Sequence, residues 1–373
     1  MFLAACAGSD GHPPVADEIP NSNDGGSDAG PPDPMMGTSG KGSKPATTSL
    51  YEGGFIAIPQ VSDIALDEPR GVLYVSTTDG GLAIVDLATG KIASEKLGDG
   101  GLTGMDLSPD GRLLAVGEHS TNTEPKEFWV HLVDLEENTI RQIRLPIDVQ
   151  QLVDGSQSVA FADNESLLVS ASWRAYGYNP LFRVNLADDS TVNFAVAWSD
   201  AMFQRSGDGS VVDWVEPFDA KGPMGRYDVA SSQLLALSEA GMVLHDLSVN
   251  ADGSLLGLPA PGMFALRGPS DDDVGQIGAV FKENRNAMAS VFSPVRDSVY
   301  VAWSKSSSDG DAGLLERYTA DATLESEGLV STNVPLATTR ESGYTPARMK
   351  ISSDGTLLFL TVEKGINVYP VEP

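Results

Sequence analysis

Apolar and polar positions follow a unit that recurs about every 40–45 residues along most of the chain. Each copy consists of an apolar strand, a short turn that usually contains Asp and Gly, and a second, more hydrophobic strand. The clearest copies begin at Val61, Met105 and Met349. Short strands that repeat at this period are typical of a β-propeller, in which small sheets are arranged radially around a central channel.

Four weaker copies can be placed between these three. Their turns lie at 163–164, 208–209, 252–253 and 294–297. The first strands then begin near residues 62, 103, 158, 200, 246, 288 and 347. The sequence therefore predicts an all-β fold, a seven-bladed β-propeller. The recurring Asp-Gly pairs predict two-residue hairpins, because Gly and Asp best tolerate the positive φ that such hairpins require.

The first copy shows the four strands expected of each blade, at residues 63–66, 72–76, 82–87 and 92–96. The last copy supplies only three strands before Pro373. We expect residues 49–58, an apolar stretch, to provide the missing outer strand. The N-terminal strand would then close the last blade, and the propeller would span residues 49–373 without open sheet edges between its ends.

The N-terminal sequence Leu-Ala-Ala-Cys, ending at Cys6, resembles a bacterial lipobox. In that motif the signal peptidase cuts before the Cys, whose thiol then receives a diacylglycerol. Cys6 is the only Cys of the chain, and a lone buried thiol is the alternative interpretation. We interpret residues 1–6 as the remnant of a lipoprotein signal, with Cys6 as the lipidation site and the true start upstream. The next residues are Ala7 and Gly8, so no Asp occupies the position that resembles the inner-membrane retention signal, which favours the outer membrane.

Residues 7–48 are rich in Gly, Ser, Pro and Asp and contain few apolar side chains. Such a segment buries too little surface to offset its conformational entropy, so we expect a disordered acidic linker. Together with the lipobox, it predicts a lipid-anchored protein of the bacterial cell envelope, on either the periplasmic or the surface side of the outer membrane.

Within the repeats, residues 71–92 and the hairpins at 108–111 and 352–355 resemble the bacterial YVTN-type β-propeller repeat. That repeat is related to the lactonase-like seven-bladed propellers. The resemblance extends over residues 50–373 and implies a propeller located outside the cytoplasm. It carries no catalytic residue, since the repeat motif is structural.

The chain is strongly acidic, with 24 Lys and Arg against 52 Asp and Glu and a formal net charge of −28. Such a charge repels phosphate backbones, so the sequence argues against nucleic-acid binding. It favours a soluble domain, which we expect to be a monomer.

Candidate chemistry is sparse. The four His are not at metal-ligand spacing, and no nucleophile elbow, P-loop or dinucleotide fingerprint occurs in a suitable context. The acidic clusters at 271–273 and 309–311 could hold calcium, but such loop tips are usually only solvated. We therefore predict neither a metal nor a cofactor.

Ligands of propellers usually bind at a mouth of the channel, where loops between second and third strands meet loops between blades. Aromatic and Arg side chains in such loops are typical recognition anchors. Trp214 and Trp303 have an alternative interpretation as the buried ends of second strands. The predicted ligand-binding set is Glu118, His119, Trp173, Arg174, Tyr176, Tyr178, Trp214, Glu216, Trp303, Lys305, Arg340 and Tyr344.

Three classes of function remain. We favour a noncatalytic envelope lipoprotein that binds a protein, peptide or glycan through one propeller face. The alternative is a lactonase-like hydrolase of a small cyclic ester, in which Glu118, His119 and Arg174 would supply acid–base and oxyanion roles. A quinone- or metal-dependent oxidoreductase is disfavoured by the scarcity of His and Cys.

Overall fold

The computed structural model describes residues 54–119, 128–147, 153–173, 179–197, 200–217, 221–236, 239–269, 276–305, 313–336 and 348–373. They belong to the second of two compact units, which spans residues 38–373. The predicted signal remnant, Cys6 and the linker at 7–48 lie outside the described residues. Among the residues in these ranges, no helix has the length and apolar character needed to cross a membrane.

The described chain is an all-β propeller fold of short antiparallel strands. In chain order the strands are β1 (Gly54–Ala57), β2 (Val61–Asp67), β3 (Val72–Thr77), β4 (Gly81–Asp86), β5 (Ile92–Lys96), β6 (Gly101–Leu107), β7 (Leu113–His119), β8 (Trp129–Asp134), β9 (Thr139–Arg144), β10 (Val153–Phe161), β11 (Ser166–Trp173), β12 (Asn179–Asn185), β13 (Thr191–Ala197), β14 (Met202–Arg205), β15 (Val211–Val215), β16 (Met224–Asp228), β17 (Gln233–Ala236), β18 (Ser248–Val249), β19 (Leu256–Arg267), β20 (Gln276–Phe292), β21 (Ser298–Lys305), β22 (Gly313–Thr319), β23 (Ser326–Val334), β24 (Met349–Ile351), β25 (Leu357–Val362) and β26 (Gly365–Pro370).

These strands form five hydrogen-bonded sheets among the described residues. Three are separate four-stranded sheets: β2–β5, β14–β17, and β24–β26 with β1. An eight-stranded sheet contains two successive meanders, β6–β9 and β10–β13, which meet at the single pair Gly155 and His119. A six-stranded sheet contains β18–β23.

The strand boundaries of the first meander agree with those predicted from the sequence to within two residues. Seven separate sheets are not seen in the described ranges, because some neighbouring repeats are hydrogen-bonded to each other or share a long strand. The long strand β20 pairs with β19 along its first part and with β21 along its last part, which merges two repeats into one sheet. The count of seven blades therefore stays a prediction.

The first strand, β1, pairs with the last strand, β26, in an antiparallel ladder that places Ile56 opposite Ile366. Ile56 is 4 % exposed and packs in a core cluster with Ile366 and Val368, whereas its neighbour Phe55 is 50 % exposed. The N-terminal strand therefore occupies the outer position of the sheet that ends the chain, where the sequence placed it.

The turns that contain Asp-Gly are longer than predicted. The N–H of Ser108 donates to the carbonyl of Leu113, so four residues separate the closing pair. Gly111 takes a φ of 70°, while Asp110 accepts a hydrogen bond from the Ser108 hydroxyl at 2.6 Å. The prediction of two-residue hairpins was wrong, because the Asp acts as a side-chain acceptor within the turn and only the Gly has positive φ.

Candidate functional site

A central cavity, partly open to solvent, is lined by the first strands of successive repeats. Its lining comes from seven chain segments: β2, β6, β10, β14, β20, β24 and the residues that enter β18. The charged and amide side chains around it are Asp63, Asp106, Gln204, Arg205, Asp246, Arg348 and Lys350.

Three buried charges form one cluster at this cavity. The Arg348 guanidinium lies 3.2 Å from Asp246 (Nη1 to Oδ1) and 3.4 Å from Asp63 (Nε to Oδ1). All three residues are buried. Burial raises the pKa of Asp246 to about 6, although the positive charge of Arg348 acts in the opposite direction. The cluster was not predicted from the sequence.

The acidic and hydroxyl side chains at the cavity also bind the backbone of the following repeat. Asp63 accepts a hydrogen bond from the N–H of Met105 at 3.0 Å, and Asp246 accepts one from Ser290 at 3.3 Å. The N–H of Phe203 donates to the hydroxyl of Ser158 at 3.1 Å. Inner strands expose unpaired backbone groups toward the channel, and these side chains satisfy them.

Glu118, a predicted site residue, lies in a second buried cluster at the end of β7. Its carboxylate accepts hydrogen bonds from Gly100 N–H at 2.7 Å and from the His131 ring at 2.8 Å. Burial alone would raise the pKa of Glu118, but these hydrogen bonds outweigh it and the pKa is lowered. A Cβ at Gly98 would lie 2.5 Å from the carboxylate, so Gly98 leaves the space that Glu118 needs.

Trp214 and Trp303 both lie in the hydrophobic core. Trp214 packs in a cluster with Leu168 and Leu181, and a Cβ at Gly225 would lie within 2.4 Å of its ring. Trp303 is 0 % exposed, and its ring meets that of Tyr318 at 6.4 Å in an edge arrangement. Their placement agrees with the alternative interpretation, in which they end buried second strands.

The remaining predicted residues fall partly within and partly outside the described part of the chain. Glu216 is buried, while His119 and Lys305 are half-buried. Trp173 ends β11, and its side chain is outside what the structure describes. Outside the described residues lie Arg174, Tyr176, Tyr178, Arg340 and Tyr344. A recognition role for this set stays a prediction.

The connections between strands are uniform in length at one end of the meanders and variable at the other. Apart from the connection between the long strands β19 and β20, first and second strands, and third and fourth strands, are joined by four to six residues. Between repeats the connections range from three residues, from β1 to β2, to 14, from β23 to β24, and between second and third strands they range from two, from β25 to β26, to nine, from β7 to β8. Because a meander alternates direction, these two sets lie at opposite ends. We call the end with the first-to-second and third-to-fourth connections the turn face. The end with the connections between repeats and between second and third strands is the loop face.

In the described ranges, no group of three or more His, Cys, Asp or Glu side chains is arranged to hold a metal ion. The Glu118–His131 pair was not predicted from the sequence, but the ladder register explains it. Val116 pairs with His131 across the ladder, so alternation places Glu118 on the same face, two residues along.

No protein-family model matches the chain, and no curated protein matches it significantly. Among solved structures, it is similar to the Dos1 propeller, with a TM-score of 0.61 and 13 % identity, over 83 % of this chain and 77 % of that one. It is similar to the Cps50 (Swd1) β-propeller domain of Myceliophteria thermophila, with a TM-score of 0.61 and 13 % identity, over 86 % and 98 %. At this identity the similarities establish the propeller fold alone.

Proposed function

We propose that this chain is a noncatalytic binding propeller whose loop face recognises a protein, peptide or glycan. The observation that carries the proposal is that connections of nine residues or more occur on the loop face, up to 14 residues from β23 to β24, whereas those of the turn face have four to eight residues. Recognition residues are concentrated on loops that a rigid scaffold positions. The hydrogen-bonded turns of the opposite face serve the fold.

The predicted recognition residues belong to the connections of this face. Trp173, Arg174, Tyr176 and Tyr178 fall at the end of β11 and in the connection to β12. Arg340 and Tyr344 fall between β23 and β24. Aromatic and Arg side chains supply most of the binding energy at typical interfaces, so these six residues are the proposed contact set.

We infer seven blades for the ring. β19 has Gly262 at a φ of 75°, and β20 has Asn284 at a φ of 57°, each beside an irregularity in the ladder. If each of these long strands bends there and serves two positions, the 26 strands supply seven sets of four. Consistent with a blade at this place, Ala265 packs toward Met224 of β16, and Phe264 packs toward Trp303 of β21.

The proposed setting is the bacterial envelope, with the propeller attached as a lipid-anchored monomer through Cys6. The lipobox-like sequence, the acidic segment at 7–48 and the resemblance to YVTN-type repeats support it. Between the binding role and the lactonase-like alternative, we favour binding, because both oxygens of Glu118 already accept hydrogen bonds. A general acid or base must instead reach the substrate.

A steric-blocking experiment tests the proposed face. In a Cys6→Ser background, Lys364→Cys places a thiol on the loop face and Glu165→Cys places one on the turn face, both at exposed positions. Each variant is coupled to a maleimide polymer and screened on a glycan array and a displayed random-peptide library. We expect specific binders that the loop-face polymer blocks and the turn-face polymer does not. Equal blocking, or no binder to the uncoupled protein, would contradict the proposal.

A further inference from the structure

Two cationic side chains of the central cavity are not neutralised by a carboxylate within the described ranges. Arg205 lies on β14 and Lys350 on β24, and both line the cavity. Arg205 donates from Nη2 to the carbonyl of Leu107 at 3.4 Å, while its Nη1 is shielded from solvent and has no hydrogen-bond partner. The Lys350 ammonium forms no ion pair with a described residue.

This arrangement is unexpected in a chain with 52 acidic and 24 basic residues. Several partly or wholly buried Arg side chains here have carboxylates, as Arg226 does with Asp213 at 2.6 Å. Exposed cations need no partner because water solvates them, but a buried donor normally has a hydrogen-bond acceptor. The Arg205 guanidinium therefore calls for an acceptor in or beside the cavity.

The acids that share the cavity are already engaged. Asp63 and Asp246 are buried against Arg348 and accept backbone hydrogen bonds. Asp106 accepts a hydrogen bond from the N–H of Phe161 at 2.9 Å, so one of its oxygens is committed to an inner strand. Arg205 and Lys350 line the cavity, and each residue is partly exposed.

We propose that the central cavity binds a small oxyanion, a phosphate- or carboxylate-bearing molecule, between Arg205 and Lys350. A guanidinium offers planar paired donors that match the oxygens of such groups, and an ammonium adds a compact positive charge. The negative net charge of the surface acts over about 10 Å at 0.1 M salt, so it opposes entry only weakly at physiological ionic strength. This site is separate from the loop face, and either proposal can fail without the other.

The test is calorimetric titration of the full chain with inorganic phosphate and, separately, with succinate, in a buffer without competing oxyanions. We expect saturable binding at one site for at least one of the two anions. Lys350→Gln and Arg205→Gln should each weaken that binding by about tenfold or more, since each removes a charged donor. The matched control is Lys91→Gln, which removes the same charge at an exposed turn and should leave binding unchanged.

Melting curves of the variants separate binding from folding. Arg205→Gln loses the hydrogen bond to Leu107 and could unfold. Lys350 makes no described polar contact through its ammonium, so Lys350→Gln tests anion binding if Arg205→Gln does not fold. Absence of saturable binding for both anions would overturn the proposal. Equal weakening by Lys91→Gln would also overturn it, because the effect would then come from net charge alone.

Discussion

Arg348 and Asp246 are 102 residues apart in the chain, yet their side chains meet at the central cavity, with Nη1 of the Arg bonded to Oδ1 of the Asp at 3.2 Å. Arg348 immediately precedes β24, and Asp246 lies just before β18. Asp63, which lies on β2, joins the same guanidinium at 3.4 Å. The centre of the fold is therefore held by charges from three distant repeats.

Removing the shared cation should destabilise the fold strongly. Arg348→Met leaves Asp63 and Asp246 buried without a positive partner, and breaking a buried ion pair in this way costs about 3–5 kcal/mol. Denaturant unfolding measures the loss. Arg112→Met is the control, because Arg112 pairs with Asp134 at the surface and its removal should shift the midpoint only slightly. Similar losses in both variants would contradict a structural role for the cluster.

The same cluster predicts a specific dependence of stability on pH. Burial raises the pKa of Asp246 to about 6 from its usual 3.8. The folded state therefore holds the Asp246 proton more tightly than the unfolded state does. The contribution of this group to the unfolding free energy is full below pH 3.8 and is lost as the pH rises through about 6. Relative to Asp246→Asn, the wild-type protein should lose roughly 2–3 kcal/mol of unfolding free energy between pH 4 and pH 7. A difference that does not change with pH would contradict the raised pKa.

Closure of the last sheet by β1 predicts losses of stability of different size at two adjacent positions. Ile56→Ala removes a core side chain and should cost about 2–5 kcal/mol of unfolding free energy. Phe55→Ala, at a position that is 50 % exposed, should cost much less.

Deletion of residues 1–48 should leave the melting temperature nearly unchanged, whereas deletion of residues 1–60 removes β1 and exposes the edge of β26. Equal tolerance of both deletions would show that β1 is dispensable.

Strand boundaries in the first meander could be predicted because short apolar strands are separated there by turns that contain Gly or Asp. The extent of β20 could not, because its polar residues at 282–286 resemble a loop, whereas the strand continues through them with a positive φ at Asn284. The ion pairs of Arg348 could not be predicted from the sequence either, since its partners come from distant repeats. Alternation assigns a face to a residue, but it does not identify which other repeat supplies its partner.

Lipid attachment at Cys6 is predicted from the lipobox-like sequence and is independent of the propeller fold. When the gene is expressed with a full upstream signal, labelled palmitate should enter the native protein and should be absent from Cys6→Ser. Both proteins should have the same melting temperature, since Cys6 precedes the predicted propeller at 49–373. Recovery of unmodified wild-type protein from the cytoplasm would contradict the anchor.

Recognition by the loop face is the central claim, and paired affinity and melting measurements on four variants test it most directly. With a peptide or glycan selected by the screen above, Trp173→Ala, Arg174→Ala and Tyr176→Ala should each weaken binding by about 1–4 kcal/mol, with less than about 1 kcal/mol lost in stability. Leu168→Ala, at a fully buried position of β11, should cost about 2–5 kcal/mol of stability and leave the affinity of the folded fraction unchanged. Loop variants that melt early while keeping their affinity would contradict the account.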